Sequence, residues 1–182
     1  NLRDINKLSL EQLKDIALEY KEKEEEVLTK NDYLDKKYKI NETNQYLVYM
    51  FKNNSEQDFK MYQLVSTNTE WCTRPDYYIF KDYISRSPLF VFIDKNDRNL
   101  KYQFHEESDQ FMDGKDKSIN YNLIIKLIPL IKNYLKQDFI LKIKIDNSIG
   151  FINKDGNIIA KGFKDANSFN EGFARVKFND NS

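Results

Sequence analysis

The chain is poor in the residues that usually announce chemistry. Its 182 residues include one Cys, one His and one Trp. A single Cys cannot form an internal disulfide, which fits a reducing, cytoplasmic setting. One Cys and one His leave a zinc site two ligands short, so no metal or other cofactor is expected. Glycine and proline are scarce, at five and three, and no P-loop, GxGxxG, HExxH or EF-hand pattern occurs. The longest apolar run, Leu123 to Ile131, is interrupted by Lys126 and Pro129 and is too short to span a bilayer. Charge is balanced, with 29 basic and 29 acidic residues. That removes any global attraction to nucleic acid or anionic membrane and leaves only local patches to consider.

What the chain does have is aromatic bulk. Twelve Tyr and thirteen Phe help bring the apolar share to 40%, enough for a core despite 32% charge. Disorder requires few aromatics and a large net charge, and neither holds. The chain begins at Asn1 and stops within a repeat described below, so we read it as a piece of a longer protein.

The order of elements predicts an α+β protein. Leu8-Ser9-Leu10-Glu11-Gln12-Leu13 reads as a capped helix start, with apolar positions continuing through Ile16, Ala17 and Tyr20. Residues 31–44 read as loop or short helix. Lys36, Lys37 and Lys39 stand there among tyrosines, where stacked nucleic-acid bases could be held, although Asp32 and Asp35 share the run. Gln45–Phe51 is a dense strand former, and Ser55 opens a second helix. Asp76 caps a short helix to Arg86. Leu89–Ile93 and Leu100–His105 then form a hairpin, with Lys101, Gln103 and His105 on one face and Leu100, Tyr102 and Phe104 on the other. Gln110-Phe111-Met112 suggests a third strand. Ser118 starts an apolar helix reaching about Leu135, which Pro129 should kink or divide.

From Asp138 the pattern changes to short strands and turns. Ile143-Lys144-Ile145-Asp146-Asn147-Ser148 is echoed by Val176-Lys177-Phe178-Asn179-Asp180-Asn181-Ser182, about 33 residues on. Between them stand Gly150-Phe151-Ile152, Lys154-Asp155-Gly156, Phe163, Phe169, Glu171-Gly172 and Ala174-Arg175-Val176. In order and spacing these resemble the bacterial WG repeat over roughly residues 139–182, with Ile149 in place of the family's Trp. The resemblance implies binding surface rather than catalysis, and an array that continues. Asp155-Gly156 should close a hairpin, and Glu171-Gly172 should precede a strand. One unit cannot bury its own hydrophobic face, so the helix from Ser118, another chain or a further repeat must cover it. The expected organisation is therefore an α+β domain over residues 1–136 and a short all-β repeat segment over 137–182.

One stretch of the first domain invites a chemical reading. Ser66-Thr67-Asn68-Thr69-Glu70-Trp71-Cys72-Thr73-Arg74-Pro75 holds the only Trp and Cys, and the only His follows at His105. A thiolate at Cys72, a base at His105 and a carboxylate at Glu107, Glu106 or Asp109 would form a nucleophilic set. The collar Thr69, Glu70, Trp71, Thr73 and Arg74 would line its binding surface. The plainer alternative makes Cys72 a small core residue beside a core Trp71. Ser66-Thr67 with Glu106 and Glu107 loosely resembles the ADP-ribosyltransferase pattern, with Asn68 where a third Ser would stand. Residues 45–115, through Thr69, Trp71, Cys72, Thr73, Gln103-Phe104-His105 and Gln110-Phe111-Met112-Asp113, are similar to uncharacterised proteins of phages and mobile elements. The leading expectation is an intracellular interaction module that binds another protein and no membrane. The alternative is a hydrolase or transferase using Cys72 and His105.

Overall fold

The computed structural model describes residues 8–168 and 173–178, with side chains described outside 20–31. The compact units divide between Tyr38 and Lys39. The first is helix α1 (Leu10–Tyr38), 29 residues long. Its start is the expected capping box: the Ser9 amide donates to Gln12 Oε1 at 2.9 Å and the Gln12 amide to Ser9 Oγ at 3.2 Å. The helix runs on through 31–38, where the sequence suggested a loop or a short separate helix. A helix already nucleated extends at little cost per residue, and residues 31–38 contain no Gly or Pro to stop it.

The second unit is built on two antiparallel sheets. Sheet A takes β1 (Lys39–Glu42), β2 (Tyr46–Phe51), β3 (Leu89–Asp94), β4 (Lys101–His105) and β5 (Gln110–Asp113), in that spatial order. Between β2 and β3 the chain makes α2 (Glu56–Val65) and α3 (Tyr77–Arg86). Ser55 caps α2 by accepting from the Asp58 amide at 3.1 Å, and Asp76 caps α3 by accepting from the Tyr78 and Ile79 amides. The Trp-Cys stretch is the turn-rich connection between these helices, as its polar composition indicated.

Register assigns the faces of sheet A. Val48, Phe92 and Tyr102 line one face, as do Met50, Phe90, Phe104 and Phe111. The opposite face carries Tyr49, Val91 and Gln103, and Phe51, Leu89 and His105. There Tyr62 of α2 packs edge-on against Phe51 and tilted against Phe80 of α3. The expected division of the hairpin into two faces therefore holds, but both faces are covered.

The apolar face meets α4 (Tyr121–Leu127) and a 3-10 helix (Ile128–Tyr134). The helix starts later than expected. Asn120, not Ser118, supplies the cap by accepting from the Leu123 amide at 3.0 Å, while Ser118 bridges to Met112. Pro129 divides the segment as anticipated: it cannot donate to the α-helical ladder, and the backbone tightens to 3-10 around it.

Sheet B follows with β6 (Ile140–Ile145), β7 (Ser148–Asn153), β8 (Ile158–Ala166) and β9 (Val176–Phe178). The β7–β8 hairpin turns at Gly156, with φ +78° and its amide donating to Asn153 O at 3.0 Å. A Cβ there would lie 2.5 Å from Ile125 O, so the turn both needs the left-handed conformation and seats against α4. The Glu171-Gly172 turn falls outside the described residues. Leu141, Ile143, Ile145 and Ile152 join Ile124, Leu127, Ile128, Ile131 and Leu135 in one buried cluster with Phe90, Phe92, Phe104 and Phe111. The α4 segment thus covers β6 and β7, one of the three covers the sequence left open.

Candidate functional site

The Trp-Cys loop is held by its largest side chain. Trp71 is fully buried, and its Nε1–H donates to Asp113 O at 2.6 Å. The Arg74 amide closes a turn onto Trp71 O at 3.0 Å, and the Glu70 amide donates to Gly114 O at 2.8 Å. This turn leaves Cys72 exposed. The plainer expectation, that Cys72 is a core residue beside Trp71, is therefore corrected: the tight turn puts adjacent side chains on opposite sides.

His105 has the opposite environment. Its ring is fully buried, packed tilted against Tyr83 with centroids 4.8 Å apart. Nε2 lies 3.0 Å from Tyr83 O, which can only accept, so Nε2 carries the proton. Nδ1 then accepts from the Ser108 hydroxyl. Burial pushes the imidazole below its usual range, only partly offset by the Tyr83 carbonyl, and keeps it neutral. Both nitrogens are spent on internal partners, leaving none to take a proton from a nucleophile. Ser108, rather than Glu106, Glu107 or Asp109, orients the ring. Glu107 points outward and pairs with Lys136 Nζ at 3.3 Å. Burial raises the Glu106 carboxyl.

Cys72 lies near enough to the Tyr83 phenol to act on it electrostatically, and the Tyr83 hydroxyl donates to Gln110 Oε1 at 3.1 Å. Burial, followed by the adjacent Cys72, raises that phenol above its ordinary range. Sequence reasoning missed both Tyr83 and Ser108. Tyr83 sits on α3 and looked like one more apolar helix position.

The polar collar divides in two. Thr69 and Thr73 turn inward. Thr69 Oγ1 donates to Ser66 O at 2.7 Å, and Thr73 Oγ1 lies 2.5 Å from the buried Tyr62 hydroxyl, which also bonds Gln103 Oε1. Burial holds the Tyr62 phenol far above its usual range. Glu70 faces solvent, and Arg74 is half-buried with its Nε enclosed and unpartnered. Ser66-Thr67 lies in the turn closing α2, its hydroxyls donating to Tyr62 O and Leu64 O, while Glu106 and Glu107 occupy the turn after β4. Of the three lysines with a nucleic-acid reading, Lys37 sits over the Tyr33 and Tyr38 rings and Lys39 pairs with Glu42. Glu42, also 2.8 Å from Lys95, is lowered to about 2 by these two cations. Among the described residues, no three His, Cys, Asp or Glu gather as a metal site. No helix there is long and apolar enough to cross a membrane.

The second candidate surface is the far end of sheet B. Phe151, Phe163 and Phe178 form a row across β7, β8 and β9, with centroids 5.9 and 5.5 Å apart. Phe151 is buried and Phe163 half-buried, while Phe178 is 66% exposed and Phe173, nearby in the chain, is 80% exposed. A polar cleft beside β9 is lined by Asp165, Asn167, Arg175 and Lys177, among others.

Residues 149–181 match the family model described as a WG containing repeat. The match covers the β7–β9 region and supports the resemblance read from Gly150-Phe151-Ile152 onward. No curated protein and no solved structure matches the chain.

Proposed function

We propose that the chain is a bacterial intracellular interaction module. Its repeat segment, residues 137–182, offers an uncovered β surface to a protein partner, and residues 1–136 add the specific recognition surface. The observation that carries this is Phe178 at the end of the aromatic row. It is two-thirds exposed on β9, a strand with a ladder partner on one side only among the described residues. An open strand edge beside exposed aromatics is chemistry suited to strand addition. The repeat match supports the same reading, since repeat units bury their faces against neighbours.

The partner is a protein that pairs with β9 and covers Phe178. A second copy of this chain presents the same chemistry and serves as the probe. Sedimentation of the full chain over a wide concentration range should show reversible association. Phe178→Glu should abolish it without shifting the melting temperature of the dilute, unassociated chain. A wild-type chain that stays monomeric throughout, and whose β9 amides exchange no more slowly at high concentration, overturns the reading.

A further inference from the structure

The face of β4 that buries His105 also buries Lys101, two pairs along the same strand. Lys101 is 8% exposed. Its ammonium donates to Thr67 O at 2.6 Å, in the turn that ends α2. Among the described residues it makes no ion pair. A lysine this enclosed is almost always paired with an acid.

The Trp-Cys loop brings a second cation toward this face: the Thr73 hydroxyl, next to Arg74, donates to Gln103 Oε1 at 3.3 Å, and Gln103 neighbours Lys101 on the same face of β4. Gln63 Nε2 donates to Arg74 O at 3.1 Å, tying the loop to the end of α2 that supplies Thr67. Arg74 Nε is buried and has no hydrogen-bond partner. Exposed Arg98 stands in the β3–β4 turn, three residues before Lys101. Burial first, then Arg74 and Arg98, push the Lys101 ammonium below its usual range, and no carboxylate offsets them.

One ordinary account makes Lys101 a cap on the α2 carbonyls, where the helix dipole favours a positive charge. It explains Lys101 alone. A second cation beside the first is repelled, and its enclosed N–H forfeits water for nothing. What the group lacks is an anion. The ammonium keeps two unused donors, and the Arg74 guanidinium offers a planar fork suited to an oxyanion.

We propose that Lys101 and Arg74, with Arg98 at the rim, form a binding site for an oxyanion, the phosphate or carboxylate group of a small ligand. The site lies on sheet A, so it stands or falls independently of association through β9.

The test is thermal melting and calorimetric titration of the full chain with inorganic phosphate and with citrate, against sodium chloride at matched ionic strength. At least one oxyanion should raise the melting temperature saturably beyond chloride. Arg74→Gln should remove that response, or weaken the affinity roughly tenfold or more, while melting in chloride no lower than wild type. Arg74→Lys, which keeps charge but loses the fork, should fall between. Lys101→Met should also lose the response. If burial makes that variant unstable, Arg74→Gln still decides. Response to phosphate alone assigns a phosphorylated ligand, and response to citrate alone a carboxylate. Equal effects of all three salts on wild type, or an Arg74→Gln chain that responds like wild type, overturns the site.

Discussion

Ile145 and Phe178 hold the same position one repeat apart, and their surroundings could hardly differ more. Ile145 ends β6 and is 8% exposed within the cluster formed with Ile128 and Ile131. Phe178 ends β9 beside Phe163 and is 66% exposed. The local sequences are similar and both strands form. What separates them is a covering element: the first copy has α4 and the 3-10 helix, and the second has none among the described residues. In a repeat, then, the strand is encoded locally, but its burial is supplied by the neighbour.

Trp71→Ala sets the scale for full burial elsewhere in the unit. It removes a wholly enclosed indole and its bond to Asp113 O, and should cost about 3–5 kcal/mol in urea unfolding. Ile145→Ala tests the covered copy directly. Loss of about 2–5 kcal/mol is expected if α4 buries it as described. A loss near zero would mean that the two copies are alike after all. Gly156→Ala attacks the seating of the repeat on α4. Alanine at φ +78° is strained, and its Cβ would meet Ile125 O at 2.5 Å, where the obstacle is backbone and cannot turn aside. About 1–3 kcal/mol should be lost.

The same contrast explains what could be read without coordinates. Capping boxes and caps at Ser9, Ser55 and Asp76 are local, and all three were legible. So were the alternation of β4, the break at Pro129 and the repeat motif, each carried by spacing along a few residues. Contextual features were not. Strand alternation put His105 on its correct face, but nothing local says that α2 and α3 cover that face and make it interior. Nor could sequence show Ser108 bonding Nδ1 or Lys101 lacking an acid, because both depend on turns whose direction is set by tertiary packing. The helix through 31–38 was missed for a related reason: its polar residues look like loop until the preceding helix is known to continue.

Acid separates the two sheets in another way, because the single imidazole lies in sheet A. Burial holds His105 below its usual 6.5, so as pH falls through about 6.5 the unfolded chain takes up a proton that the folded chain refuses. Stability contributed by the neutral ring is therefore present above that pH and lost below it. Urea midpoints measured at about pH 7.5 and about pH 5.5 should fall on acidification. His105→Gln should reduce that difference even if it lowers both values. An unchanged difference would mean that other groups carry the acid sensitivity.

The smallest effect is the most informative. Phe178→Ala should change the stability of the isolated chain by no more than about 0.5 kcal/mol, because little of the ring is removed from water on folding. Set against Ile145→Ala at the equivalent position, that near-silence measures the missing neighbour. At concentrations where the chain associates, the same substitution should cost more, since the ring is then buried by the partner. A concentration-independent loss of about 2 kcal/mol or more would instead place Phe178 in the core of its own chain. The difference between repeat copies would then lie in side-chain identity, with no role for an absent cover.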